Sequence, residues 1–169
     1  MAWWSVWSPS SAGRVSPPGD AVITKLLIAW GLMALCVGIH ASGLAVALRK
    51  LRKWRGPTDK YWSSTWLYVR VAAWTVLLHL MEISVWAVFY TSAHAFEDVP
   101  AALYFSAVTY TTTGYGDLLL PATWRIVGGV EALTGILMCG WSTGFFFAVT
   151  SRMQGQPPDG PRQAGIAAR

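Results

Sequence analysis

The run Thr111-Thr112-Thr113-Gly114-Tyr115-Gly116-Asp117 lies between two long apolar segments, and is itself short, rich in hydroxyls and glycine, and almost free of charge. Gly114 and Gly116 alternate with other residues, so the backbone there can enter conformations that residues with a β-carbon avoid. A strand-like segment of this kind can turn successive carbonyls toward one side. Four such segments around an axis would stack rings of oxygens able to replace the water shell of a dehydrated cation.

Working outward, the segment before this run is short and hydroxyl-bearing, AALYFSAVTYT, and the whole is framed span–loop–span. A bare Gly-Tyr-Gly occurs in ordinary turns, but the full run in this frame is specific. It resembles the selectivity filter of the tetrameric potassium channels, whose usual form is T-V-G-Y-G-D; Thr113 stands at the Val position. The resemblance extends from about Trp66 to Arg152.

Residue by residue, the resemblance implies the following. Thr112 supplies the innermost ion site through its hydroxyl and carbonyl, and Thr113, Gly114, Tyr115 and Gly116 supply further carbonyls. Potassium is the permeant ion, held by the carbonyls of Thr112, Thr113, Gly114 and Tyr115, and no other cofactor is implied. The Tyr115 ring points backward and packs the filter against the pore helix, while Asp117 caps the outer mouth. Where relatives carry Trp, Trp and sometimes Glu in the pore helix, this chain has Tyr104, Phe105 and Val108. Of these only Tyr104 has a side-chain donor, so it is the expected filter support. Gly135 and Gly140 match glycines that relatives use as a gating hinge or for close helix approach. One filter per chain implies a homotetramer, so the expected partners are three further copies of the chain and membrane lipid.

Composition bounds the class independently. The chain is 54% hydrophobic and 12% charged, about half the charge of an ordinary soluble domain, and its mean hydropathy is positive. The apolar residues are grouped in long runs, which marks a membrane protein. The positive charge is concentrated beside a span rather than spread over a domain face, so nucleic-acid binding is not expected, and no soluble ligand-binding domain is visible. The two cysteines, Cys36 and Cys139, fall inside apolar runs and read as small buried hydrophobes.

The expected fold is all-α and integral to the membrane: three transmembrane helices, a re-entrant pore helix and an extended filter loop. Residues 1–20 form a tail whose Trp3, Trp4 and Trp7 suit a membrane interface. Residues 21–48 form the first transmembrane helix, with Gly31, Ala34, Gly38 and Ala41 as a small-residue stripe for close helix approach and His40 read as an interfacial histidine near the inner end. Residues 49–65 form a basic loop holding Arg49, Lys50, Arg52, Lys53, Arg55 and Lys60, which the positive-inside rule places in the cytoplasm. The pore domain is 66–151: outer helix 66–91, pore helix 100–111, filter 112–117 and inner helix 122–151. Residues 152–169 form a cytoplasmic tail. The N-terminus is then outside and the C-terminus inside, in a plasma membrane of bacterial type. No span carries Arg or Lys at every third position, as a voltage sensor would.

Glu82 and Glu131 are ionisable residues within spans, which marks them as functional candidates. Each lies about nine residues from the outer end of its span, roughly 13–14 Å deep by helical rise. Glu131 is therefore expected to hydrogen-bond the pore-helix end or filter backbone from behind, and Glu82 to find a partner on a neighbouring helix. Two further readings are a weakly selective cation channel, against which Tyr115 and Asp117 stand, and a non-conducting accessory subunit, which would need a damaged filter. A more distant one is an intramembrane metal-dependent enzyme, for which His79 and Glu82 at i, i+3, with His94, would be the ligands.

Overall fold

A computed structural model of the chain describes residues 19–53 and 61–153. The Trp-rich tail, the link 54–60 with Arg55 and Lys60, and the tail 154–169 lie outside the described residues. The helices are α1 (Gly19–Lys53), α2 (Tyr61–Ser92), α3 (Val99–Tyr110) and α4 (Arg125–Met153), and there is no strand among the described residues. α1, α2 and α4 are each long and apolar enough to cross a membrane, whereas α3 is apolar but short.

Three boundaries differ from expectation. α1 continues through Arg49, Lys50, Arg52 and Lys53 rather than ending at 48, and its last turn is basic. Lys and Arg are good helix formers, and cations are favoured at the negative helix end. α2 starts at Tyr61 rather than 66. α4 starts at Arg125 rather than 122, because Pro121 opens a turn in which the Trp124 N–H donates to the Pro121 carbonyl at 2.9 Å.

α1 packs against α2 and α4, and α3 packs against the same two helices. Lys25 near the start of α1 lies 5.9 Å from the Trp124 ring, and Lys50 near its end lies 5.3 Å from the Trp74 ring. These contacts pin the two ends of α1, which runs antiparallel to α2. One apolar cluster gathers Cys36, Trp86, Tyr90, Tyr110 and Met138 around α3. A second, toward the other end, joins Leu44, Val71, Leu78, Phe145 and Val149.

The face of α1 that packs is not the small-residue stripe. Gly31, Ala34 and Gly38 are exposed, and a methyl at Gly31 or Gly38 would meet nothing. Ala29, Cys36, His40 and Gly43 face the bundle instead. The close approach falls at Gly43, where a methyl would run into Leu78 and the carbonyl accepts from Trp74 Nε1 at 3.0 Å. Leu27, Trp30, Leu80, Val88, Leu133 and Phe147 are exposed on the three long helices, a distribution that suits lipid or apolar neighbours and not water. The chain is an integral membrane protein.

Candidate ion-conduction site

α3 is aimed by its N-terminus. Asp98 is extended and caps the helix, its carboxylate accepting from the Ala101 N–H at 2.7 Å, and Pro100 sits in the first turn, where a missing N–H costs nothing. The helix ends at Tyr110, and the chain then turns back along it. The N–H of Thr112 donates to the Thr109 carbonyl at 2.9 Å, and those of Thr113 and Gly114 donate to the Val108 carbonyl at 2.9 and 3.3 Å. The segment after α3 therefore starts with its donors spent on that helix.

Left-handed backbone recurs at every second residue: Thr112 at φ 57°, Gly114 at 56° and Gly116 at 76°. An ordinary strand alternates its carbonyls between two faces. Inverting the hand at alternate residues removes that alternation and brings the carbonyls toward one side. Glycine takes this conformation without strain. Thr112 is β-branched and does not, so its backbone carries strain held by the neighbouring bonds. The special conformation of Thr112 was not anticipated; the glycines flag alternate positions, and counting back by two reaches it.

Residues 111–117 are all exposed within the single chain. Tyr115 is 72% exposed, so the expected backward packing of its ring is not made inside one chain. The Thr113 hydroxyl has a partner, Thr111 Oγ1 at 2.9 Å. Since Thr111 already donates to the Ala107 carbonyl at 2.7 Å, Thr113 is the donor of that pair. At the mouth, the Tyr104 hydroxyl donates to Asp117 Oδ2 at 2.6 Å. That bond holds the Asp117 carboxyl below its ordinary range, with smaller help from its own and the Leu118 N–H. Phe105 has no donor and instead packs edge-on against Tyr90, ring centres 5.4 Å apart.

Glu82 finds partners on neighbouring helices, as expected, whereas Glu131 does not bond the pore-helix end or the filter backbone. Glu82 is fully buried and accepts from the hydroxyl of Tyr110, the last residue of α3. Its other oxygen meets His40 Nδ1 of α1 at 2.8 Å. Glu131, also fully buried, accepts from Tyr90 of α2 at 2.8 Å. It adjoins Ser106 in the middle of α3, whose hydroxyl, like Glu131 Oε1, has no partner at normal hydrogen-bond geometry. The grip on the pore-helix end thus comes from Glu82. Glu82 and Tyr90, the partner of Glu131, are eight residues apart on α2, about 12 Å of helical rise, so the two carboxyls do not share one depth.

His40 is fully buried between Glu82 and Ser142, not interfacial, and sequence reasoning missed it. The signal was available: Cys36, His40 and Gly43 fall on one helical face, and a buried Glu82 needs a partner. His94 is not among the grouped ligand atoms; the group among the described residues is His40, His79 and Glu82. His94 instead ends α2 in left-handed backbone, φ 51°. Cys139 is exposed, and only Cys36 is buried.

On α4, Gly135 passes directly against the end of α3: a β-carbon there would collide with the Tyr110 carbonyl. Gly140 has open space within the chain.

A short apolar helix, a reversed segment with left-handed backbone at alternate residues, and flanking helices long enough to cross a membrane are the geometry of this region. Residues 76–152 match the family described as "Ion channel". A stretch of 45 residues is 49% identical to the Potassium voltage-gated channel protein Shal of Drosophila melanogaster, taking in 25% of this chain and 8% of that protein. No solved structure matches. By this segment the chain is similar to ion channels, and to a potassium channel in particular.

Proposed function

We propose that the chain is the subunit of a homotetrameric, potassium-selective channel that conducts passively. The observation that carries this is the left-handed alternation at Thr112, Gly114 and Gly116 on a strand that is exposed throughout. One chain supplies a quarter of each oxygen ring, so the ion sites are complete only when three further copies surround the axis. Carbonyls of Thr112, Thr113, Gly114 and Tyr115 replace the hydration shell, and Thr112 adds its hydroxyl at the inner end. Asp117 stands at the outer mouth, held by Tyr104. Glu82 supports the pore helix from behind through Tyr110, and Glu131 adjoins Ser106 of that helix while accepting from Tyr90 of α2.

The basic end of α1 favours a cytoplasmic position, which puts the filter mouth outside and the end of α4 inside. Gating by bending of α4 is assigned to Gly140, which has room around it, ahead of Gly135, which is pressed against α3. The decisive experiment is flux from liposomes holding the purified chain. Potassium should pass, sodium should be excluded and barium should block; equal potassium and sodium flux overturns selectivity. A cross-linked monomer or dimer that conducts selectively overturns the tetramer.

A further inference from the structure

Behind the end of α3, His40 of α1 and His79 and Glu82 of α2 bring ligand atoms within 4.8 Å of one another. Glu82 Oε1 lies 2.8 Å from His40 Nδ1, and Glu82 Oε2 lies 3.6 Å from His79 Nδ1. Tyr110 closes this side: its hydroxyl meets Glu82 Oε2 and stands 3.1 Å from His79 Nδ1. The far nitrogens of both imidazoles reach one atom. His40 Nε2 is 3.2 Å and His79 Nε2 is 3.1 Å from Ser142 Oγ on α4.

A serine oxygen has two lone pairs. When both are spent on Nε2–H groups, both imidazoles take the same tautomer, with the proton on Nε2 and the lone pair on Nδ1. Both Nδ1 lone pairs then face the Glu82 carboxylate. In this arrangement His40 Nδ1 and Glu82 Oε1 are two acceptors at 2.8 Å, and a positive charge belongs between them.

We propose that this is a transition-metal site, in which a divalent ion of the zinc, cobalt or nickel kind is held by His40 Nδ1, His79 Nδ1 and Glu82, with the Tyr110 oxygen beside it. Two imidazole nitrogens and a carboxylate form a donor set that prefers such ions to potassium, magnesium or calcium, and zinc accepts three protein ligands with a further oxygen. Metal-binding imidazoles need their outer N–H held by an acceptor, which orients the ring and fixes its tautomer; Ser142 Oγ lies within reach of both outer nitrogens at once. His40 and Glu82 are fully buried, and His79, with 18% of its side chain exposed, is the open side of the cluster. The ligands lie on α1 and α2, while Tyr110 and Ser142 carry the attachment to α3 and α4. An ion here fastens all four helices at the end of the pore helix.

The proposal stands apart from potassium selectivity, and its test does not need conduction. The full chain is purified in detergent, stripped with a chelator and titrated with cobalt(II). One cobalt per chain should bind, with visible ligand-field absorption that zinc(II) displaces. His40→Gln and Glu82→Gln should abolish the absorption, and His94→Gln should keep it. Ser142→Ala leaves the ligands in place and should weaken binding about 10- to 100-fold. If the variants at buried positions fail to fold, His79→Gln at the open side supplies the same test, and zinc should raise the unfolding midpoint of the unmodified chain but not of this variant. Absence of cobalt absorption in the unmodified chain would mean that a proton fills the gap, and would overturn the proposal. Equal absorption in every variant would place the metal elsewhere and overturn it too.

Discussion

The Tyr104 hydroxyl and the Asp117 carboxylate, 2.6 Å apart, tie the pore helix to the residue that follows the filter. The bond crosses the loop from outside, so it resists outward movement of the filter's last residues. It also has a pH signature. Because the bond from Tyr104 holds the Asp117 carboxyl below its ordinary range, its support is in full effect above that range and is lost as pH falls through the lowered value. Tyr104→Phe removes the donor, so Asp117 should protonate at higher pH. Potassium flux recorded against outer-side pH should be lower in the variant near neutrality, where the unmodified chain has the bond, and the two profiles should converge on acidification. Superimposable profiles would show that the bond does not support the mouth.

Filter substitutions separate backbone from side chain. Gly116 sits at φ 76°, where a β-carbon costs about 1–2 kcal/mol. Gly116→Ala should abolish selective flux while assembly, followed by cross-linking, is retained. Thr113→Val keeps the shape and loses one hydroxyl bond to Thr111, which still has the Ala107 carbonyl. Its potassium-over-sodium flux ratio should match that of the unmodified chain. A Thr113→Val channel that passes sodium freely would mean that this side chain acts on the ion path.

The membrane spans and the left-handed backbone at Gly114 and Gly116 were legible because both are local. Apolar length marks a span, and alternating glycines mark the strand. What was not legible is which buried polar groups meet. His40 and Glu82 are 42 residues apart, and His40 and Ser142 are 102 apart, so helical periodicity alone cannot pair them. Depth counting went wrong for a related reason. It placed Glu82 and Glu131 at one level, but α4 begins three residues later than the apolar run suggests, so Glu131 is nearer its helix end than Glu82 is. The exposed stripe at Gly31 and Gly38 shows that small residues permit close approach without choosing which face approaches.

Gly135 and Gly140 should respond differently to alanine. At Gly135 the new methyl meets the Tyr110 carbonyl, part of the backbone that launches the filter. Backbone cannot rotate away as a side chain can, so the helices must separate. Overpacking of this kind costs about 1–3 kcal/mol. Gly135→Ala should lower the unfolding midpoint in detergent and reduce flux, whereas Gly140→Ala, with open space around it, should leave the midpoint in place. A Gly135→Ala chain as stable as the unmodified one would mean that α3 and α4 shift apart at little cost.

Glu131 tests the other buried carboxyl. It accepts from the Tyr90 hydroxyl at 2.8 Å and adjoins Ser106, so it joins α2, α3 and α4 one turn of α3 before Tyr110. Glu131→Gln keeps an acceptor for Tyr90 and nearly the same volume, and its stability and flux should stay close to those of the unmodified chain. Glu131→Ala leaves the buried Tyr90 hydroxyl without a partner, at a cost of about 1–3 kcal/mol, and leaves a void beside α3 as well. Tyr90→Phe alone removes the donor but not the carboxylate, which then lacks its strongest partner. Residues in direct contact do not add, so Tyr90→Phe combined with Glu131→Ala should lose less stability than the two single losses summed. Additive losses in unfolding measurements would show that the hydrogen bond contributes nothing. Equal flux in Glu131→Ala and Glu131→Gln would leave the carboxyl no part in supporting the filter, and the pore helix would then rest on Glu82 and Tyr104 alone.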